Sequence, residues 1–600
     1  MRLRFTFLFA LCFLLRGELF AQPYHYEIAA NGKRIFQKGE LVIKEGVPFL
    51  TVKGEPYEAG LQYGVLLNDY LLRMDHTIDS LVEHYIGDFF LKKWIANAAL
   101  GFKIRKFEKR MPEDFVREFE GMAEGSDLSL KEIKTLAYFP QLFFKISCSA
   151  FILKNEKQLV HGRNLDWPGI EVLTQFPLLV NYHIDGQKPF TNLTFIGYPG
   201  VYTGMNHAGL SMSINMNSAP AENGKEIDEY NTGMPLAFKV RDILQKAETL
   251  DQVDGQFKGY RSHAWFITVG SKSDFSGAIY ELTRGRVIKN EMHNDFLAVA
   301  NLSLSDVGRY QYSPASMFNQ SNISRERKLE ALHQSISNAD LISKSYQILT
   351  NTENHHMSHN PFYSNCINNS ITVKSCIMDN IHHHVYFTYG ERCAARNKYL
   401  KVDINTGMVS VFREKQPLPD EDFFQQRVQY QQWYKEKYAG KELNPEDYRK
   451  IIKKIQQAAL EPAYQYYLLS WYFLQLENYE KAFEYAEKYI AEKPDFYHPY
   501  RHKYAVMKEK NDYHGAIVAL EEMLQTPTVT PDDIYFATIR MIKMYDKLQE
   551  VNPDPIYIRK INTLADKIRY ELTQYFKDDK TLEDLEWIEK LELKYAKEKE

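Results

Sequence analysis

The chain has 600 residues, 44% of them apolar and 14% aromatic, with 74 basic against 78 acidic side chains. That length exceeds what one hydrophobic core supports and predicts two or three domains. The net charge of −4 excludes the strongly basic footprint of a nucleic-acid or general polyanion binder.

The first predicted element is an export signal over residues 1–21. Met1-Arg2-Leu3-Arg4 is positively charged, Phe5 to Leu15 is apolar, and Leu19-Phe20-Ala21 offers a cleavage end before Gln22. The apolar run is too short to span a bilayer as a stable helix; Arg16 beside it leaves an uncleaved, tethered form as the alternative. No later segment has the length to cross a membrane, so the expected mature protein is exported, periplasmic or secreted. Cys12 falls within the signal, and Cys148, Cys366, Cys376 and Cys393 remain. Their spacing makes neither a disulfide framework nor a zinc module; one bridge among the last three stays open.

Residues 22–147 form the second unit. "GELVIKEGVPFLTVKGEPYEAGLQYGVLL" reads as two short strands, a turn at Gly54–Tyr57 and a helix. From Tyr70 to Phe143 apolar residues recur three and four apart, as in "LLRMDHTIDSLVEHYI", which predicts helices. "GSDLSLKEI" is a helix start, with Ser129 as cap and Glu132 three residues on.

At Cys148 the texture changes. "CSAFILK", "KQLVHGR", "PLLVNYHI", "NLTFIGY", "GLSMSIN", "AWFITVG", "GAIYELT", "RVIKNEM" and "DFLAVAN" are short strands rich in β-branched and aromatic residues. The helices "MPLAFKVRDILQKA" and "SRERKLEALHQSI" interrupt them, and "ITVKSCIMD", "HHVYFTYG" and "KYLKVDI" return to strand. Strands in runs with grouped helices predict an α+β fold over residues 148–415. Gln416-Pro417-Leu418-Pro419 reads as a linker crossed by few contacts. Residues 440–600 are predicted all-helical. There "NYEKAFEYAEKYIAEKP" matches "NDYHGAIVALEEMLQTP", with Tyr479 and Tyr513 34 residues apart and Ala482 and Ala516 at the same spacing. That period, with a small residue where helices cross, predicts tetratricopeptide-like helix pairs and a concave surface for a protein or peptide partner.

The candidate chemistry lies in "SCSAFILKNEKQLVHGRNLDW". Read as a hairpin, it returns Arg163 and Asp166 beside Cys148. A guanidinium near a thiol favours the thiolate, and charged residues closing an apolar strand predict an ion pair between Arg163 and Asp166. No histidine lies close as a base; His161 reads as a packed or surface residue. The base can instead be the α-amine of Cys148, which titrates near neutrality, provided that cleavage after Ser147 frees it. His355, His356 and His359, with His382, His383 and His384, read as solvent-exposed rather than as metal ligands, and "GMNHAGL" lacks phosphate-loop spacing. No metal and no cofactor are expected.

Cys148, the element Arg163-Asn164-Leu165-Asp166 and "GMNHAGLSMSIN" together resemble the N-terminal-nucleophile hydrolases. The nearer branch holds the penicillin acyltransferases, acid ceramidases and N-acylethanolamine amidases; choloylglycine hydrolases are more distant. The resemblance spans roughly residues 45–410 and includes "GEPYEAGLQYG". It implies a four-layer αββα sandwich matured by self-cleavage, with residues 22–147 as a mainly helical pro-segment. It also implies Cys148 as nucleophile and Arg163 and Asp166 as the pair that positions amine and substrate. Asn301 falls where the family supplies an oxyanion-hole side chain, and Asn215 near the second contributor, with Asn217 as its alternative. Arg325, opening the helix "SRERKLEAL", matches a bracing arginine, with Arg327 as competitor. Leu302 stands where the family often has an aromatic residue or histidine. The implied function is hydrolysis of non-peptide C–N amide bonds of small N-acyl substrates through an acyl-thioester. The alternatives are acyl transfer to an amine and an inert domain serving a helical scaffold.

Overall fold

The protein is described from a computed structural model over residues 24–86, 101–142, 147–168, 171–217, 232–262, 264–283, 285–304, 317–353, 363, 365–438, 441–527, 529, 531–572 and 579–597. The expected export signal and His355, His356 and His359 lie outside these residues. Among the described residues, no helix is long and apolar enough to cross a membrane.

Eleven strands make one sheet. In space it runs through Glu27–Ile28, Arg34–Phe36, Gly39–Lys44, Val47–Gly54, Pro177–Ile184, Phe190–Phe195, Thr203–Asn206, Leu210–Met216, Trp265–Ser271, Ser276–Thr283 and Arg286–Glu291. Seven make the other: Phe296–Val299, Ser147–Lys154, Leu159–Asp166, Thr372–Asp379, His384–Tyr389, Tyr399–Asp403 and Val409–Arg413. The alternation of apolar residues along each strand sets the layers. Leu179, Leu193 and Met205 of the large sheet meet Cys376, Met378 and Phe387 of the small one. The opposite face of the large sheet, with Leu50, Val52, Val180 and Tyr182, is covered by Tyr63, Leu66, Phe119 and Phe238 from helices. Behind the small sheet, Phe151, Leu153 and Ile377 pack against Leu329, Leu341 and Ile348. The result is the expected α+β sandwich in the order αββα.

The segment before Cys148 is mainly helical, as expected, but supplies four strands of the large sheet where two were read. Val47–Gly54 lies parallel to Pro177–Ile184, so a strand from before Cys148 is embedded beside one from after it. The helix Pro56–Ile86 crosses Glu113–Glu124 at close range: a Cβ at Gly60 would collide with the Glu118 carbonyl, and one at Gly121 with that of Tyr57. This explains the glycines of "EAGLQYG" as helix-crossing residues. The helix Leu130–Leu142 starts as read, with Ser129 N–H donating to Glu132 Oε2 at 2.7 Å and Glu132 N–H to Ser129 Oγ at 3.3 Å.

The helix carrying Arg325 begins at Met317, so Arg325 sits in its middle instead of opening it. Asn322, Ser324 and Arg325 are buried: Asn322 accepts from Arg325 one turn on, while Ser324 and Arg325 reach the distant Asn365 and Cys148 carbonyls.

Every described element from Glu421 onward is helical. Phe423 and Tyr438 pack with Ile451, Tyr464 and Tyr489 in one core, and Ala516, Leu520, Ile542 and Ile561 form another. Asn478 and Asp512 cap the helices Tyr479–Glu492 and Tyr513–Leu524, and Ala482 and Ala516 are fully buried. The stretch read as a free linker is docked. Leu418 and Phe424 pack with Tyr363, Cys366 and Cys393, Arg396 donates to the Pro417 carbonyl at 2.7 Å, and Asp420 pairs with Lys493 at 2.9 Å. Two apolar side chains within a polar stretch are enough to anchor it.

Candidate active site

The turn after "CSAFILK" is closed by Asn155, whose Oδ1 accepts from the Lys157 and Gln158 amides at 2.9 and 2.8 Å, an Asx-type turn. It fixes the hairpin register: Ser147 opposite Asp166, Cys148 opposite Leu165, Ala150 opposite Arg163. Cys148 and Arg163 therefore lie on the face turned toward the large sheet, as diagonal neighbours. Arg163 Nη2 donates to Cys148 Sγ at 3.4 Å and to the Ile214 carbonyl at 2.7 Å, while Nη1 binds Thr203 Oγ1. Burial pushes the Cys148 thiol up, and the Arg163 guanidinium opposes that rise.

The expected Arg163–Asp166 ion pair does not form. Three residues apart on a strand of period two, the side chains leave on opposite faces. Asp166 instead accepts from Thr372 Oγ1 at 2.7 Å and from Asn369 Nδ2 at 2.9 Å, next to the strand position of Ser147. Burial pushes its carboxyl up to about 6, against the pull of Arg325 and of the Thr372 and Asn369 hydrogen bonds.

Arg325 reaches Cys148 from the helix layer behind the small sheet. It donates to the Cys148 carbonyl, to Ser149 Oγ at 3.0 Å, to Asn301 Oδ1 at 2.8 Å and to Asn322 Oδ1 at 2.5 Å. Its competitor Arg327 is exposed on the same helix. Asn301 follows the strand Phe296–Val299, and its Oδ1 also accepts the Cys148 backbone N–H at 2.9 Å. Its Nδ2, the group an oxyanion hole would use, here donates to the Met216 carbonyl at 2.5 Å. Asn215 joins the same segment, donating to the Ala300 carbonyl at 3.2 Å, with its Oδ1 buried and without a hydrogen bond. Asn217 turns to the buried Glu281 at 3.1 Å. Cys148, Arg163, Asn215, Asn301 and Arg325 are thus brought together, with Asp166 on the opposite face of the hairpin.

His161 is packed: both ring nitrogens bond serine hydroxyls, Ser211 at 3.0 Å and Ser213 at 2.8 Å, and burial lowers it to about 3. His382 is exposed on Asp379, and no cluster of His, Cys, Asp or Glu among the described residues could hold a metal. Sequence reasoning passed over Asn322, Asn369, Thr372 and Lys374. Lys374 is buried between the sheets, donates to the Leu193 carbonyl at 2.7 Å, and is lowered to about 7 by burial, with Arg163 adding to the effect. Its one signal was a lysine inside the apolar strand "ITVKSCIMD".

Asp166 gives the intact chain a pH dependence. Its carboxyl holds a proton more tightly folded than unfolded, so folding takes up a proton between the ordinary value of 3.8 and about 6. Stability therefore falls as pH rises through that window. In a Cys148→Ala background, Asp166→Asn should flatten this slope and raise stability at pH 7 by on the order of 2 kcal/mol. Urea unfolding at pH 4, 5, 6 and 7 measures it; parallel pH curves for both proteins would show that Asp166 does not titrate as described.

Residues 153–391, beginning just after Cys148, match the family of acyl-coenzyme A:6-aminopenicillanic acid acyl-transferases. The N-acylethanolamine-hydrolyzing acid amidase of Caenorhabditis elegans is 27% identical over 183 residues, 28% of this chain and 51% of the relative. Acid ceramidase of Mus musculus is 24% identical over 218 residues, 33% of this chain and 54% of that protein. The chain spans about half the length of these curated relatives. Among solved structures, the Caenorhabditis elegans amidase ortholog aligns with a TM-score of 0.31 at 21% identity, covering 39% of this chain and 93% of that one. The Clostridium perfringens conjugated bile acid hydrolase aligns with a TM-score of 0.25 at 11% identity, covering 45% and 97%. Over the matched stretch, this chain is similar in sequence to the penicillin acyltransferase and acid amidase group of the N-terminal-nucleophile hydrolases.

Proposed function

We propose that the protein is an exported, self-cleaving cysteine amidohydrolase that cuts the non-peptide C–N bond of small N-acyl amides. The observation that carries this reading is Cys148 itself: its sulfur touches Arg163, and its backbone N–H is held by Asn301. In maturation, Sγ adds to the Ser147 carbonyl carbon, the thiol proton passes to the leaving nitrogen, and the peptide N–C bond breaks to give a thioester and the free Cys148 amine. Water then cleaves the thioester, releasing the Ser147 carboxylate and the Cys148 thiol. In turnover the amine takes the thiol proton and the thiolate attacks the substrate carbonyl. The negative oxygen is met by donors in the Asn301 and Asn215 neighbourhood, for which Asn301 Nδ2 exchanges its bond to Met216. The ammonium then returns its proton to the departing amine, and water cleaves the acyl-thioester with the Cys148 amine as base. Asp166, beside the cleavage point, suits the ammonium as counter-charge. The names of the relatives, an N-acylethanolamine-hydrolyzing amidase and a ceramidase, support an N-acyl amide as substrate.

The test joins maturation to turnover. N-terminal sequencing of the purified protein should find a chain starting at Cys148, and incubation with a panel of N-acyl amides should add one acyl mass to that chain. An uncut but fully active protein would overturn the mechanism. The match to an acyl-transferase family supports a second reading, in which an amine replaces water as acceptor; a new amide formed on adding amines would select it. The helical tail, with its 34-residue spacing, is proposed to bind a protein or peptide partner rather than substrate.

A further inference from the structure

Cys366 and Cys393 take no part in the chemistry above. Both are buried thiols in one small cluster with Tyr363, Leu418 and Phe424. Their segments are tied together: Cys393 N–H donates to the Asn369 carbonyl at 3.1 Å, and Ala395 N–H to Asn368 Oδ1 at 3.3 Å. Cys366 Sγ donates to the Asn368 carbonyl at 3.4 Å. Cys393 has φ of 50° and Arg392 of 56°, left-handed backbone that a non-glycine residue adopts where its surroundings impose it. The other two described cysteines lie elsewhere: Cys376 faces the core between the sheets, and Cys148 lies against Arg163. The loop that begins at Cys366 carries Asn369 and leads into Thr372, the first residue of the strand Thr372–Asp379; these two hold the two carboxylate oxygens of Asp166.

We propose that Cys366 and Cys393 are a disulfide site, whose closure clamps the loop that holds Asp166 and the surface on which the chain beyond Leu418 docks. The two thiols lose two protons and two electrons to an oxidised small-molecule disulfide such as glutathione disulfide. One S–S bond forms, and the oxidant leaves as two thiols. Burial raises both thiols, so thiolate is scarce once the cluster has packed and exchange is slow. The bond therefore closes as the loop folds in an oxidising environment.

Full-length protein produced by export into an oxidising compartment, then equilibrated with oxidised glutathione, is alkylated under denaturing conditions without reductant and mapped by mass spectrometry. The expected result is one linked peptide pair joining Cys366 to Cys393, with Cys148 and Cys376 alkylated. Reduction should lower the melting temperature by about 5 °C, a shift absent from the Cys366→Ala/Cys393→Ala protein. Alkylated thiols at both positions, or a bridge from either to Cys376, would overturn the proposal. The mapping reads sulfur chemistry and not turnover, so its failure leaves the amidohydrolase reading untouched.

Discussion

Cys148→Ala is expected to leave the full-length chain uncut and without measurable amide hydrolysis. In the proposed mechanism, removing the sulfur takes away the atom that attacks both the Ser147 carbonyl and the substrate. The fold should survive, because the side chain is fully buried and alanine leaves only a small gap. Cys148→Ser keeps a weaker nucleophile in the same place; it should cut slowly and turn over at least about 10³-fold more slowly than the wild type. Gel electrophoresis of the purified proteins and their rates on an N-acyl amide check both statements. A cut Cys148→Ala chain would mean that a protease, and not the chain itself, makes the break.

Arg241→Met should destabilise the protein by about 3–5 kcal/mol and loosen the segment before the cleavage point. Arg241, on the helix Leu236–Leu244, grips Glu118 of the helix Glu113–Glu124 through two bonds, 2.9 and 2.5 Å, with both side chains buried. The guanidinium carbon lies 4.1 Å from the centre of the Tyr182 ring. Methionine fills most of the volume but leaves the Glu118 carboxylate charged in a dry site. Glu118→Gln combined with Arg241→Met removes that charge and should recover most of the loss. Because Glu118 precedes Cys148 and Arg241 follows it, the pair would also hold the two halves together after the proposed cleavage. Thermal melting measures the first effect. Size-exclusion chromatography of the cut protein in mild denaturant measures the second, with earlier separation expected for Arg241→Met. Equal melting of wild type and variant would show that the pair is energetically neutral.

Much of this architecture was legible in the chain. Alternating apolar residues in "CSAFILK" and "KQLVHGR" mark strands and say which side chains share a face, and the three- and four-residue spacing of "LLRMDHTIDSLVEHYI" marks a helix. Ser129 and Glu132 mark where another begins. These signals are local, because the backbone periods of strand and helix act over a few residues. The α+β class follows from their order, and the juxtaposition of Cys148 with Arg163 follows from one short turn. The same alternation, followed through, also forbids the Arg163–Asp166 pair.

What the tertiary structure alone decided are contacts whose partners are far apart in sequence. Nothing local tells Val47–Gly54 to lie parallel to Pro177–Ile184, or brings Arg325 to the carbonyl of Cys148 across 177 residues. Nor does the composition around Gln416 show that Leu418 and Phe424 will find an apolar cluster beside Cys366 and Cys393. Buried polar groups such as Asn369 and Lys374 look like surface residues in the sequence, because burial of a polar side chain depends on a distant hydrogen-bond partner. The sequence by itself determined the elements, their faces and the placing of Cys148 beside its nearest guanidinium. The packing of the two sheets and their helices decided which distant residues complete the site, since that packing is set by closure of the whole core and not by any one stretch of chain.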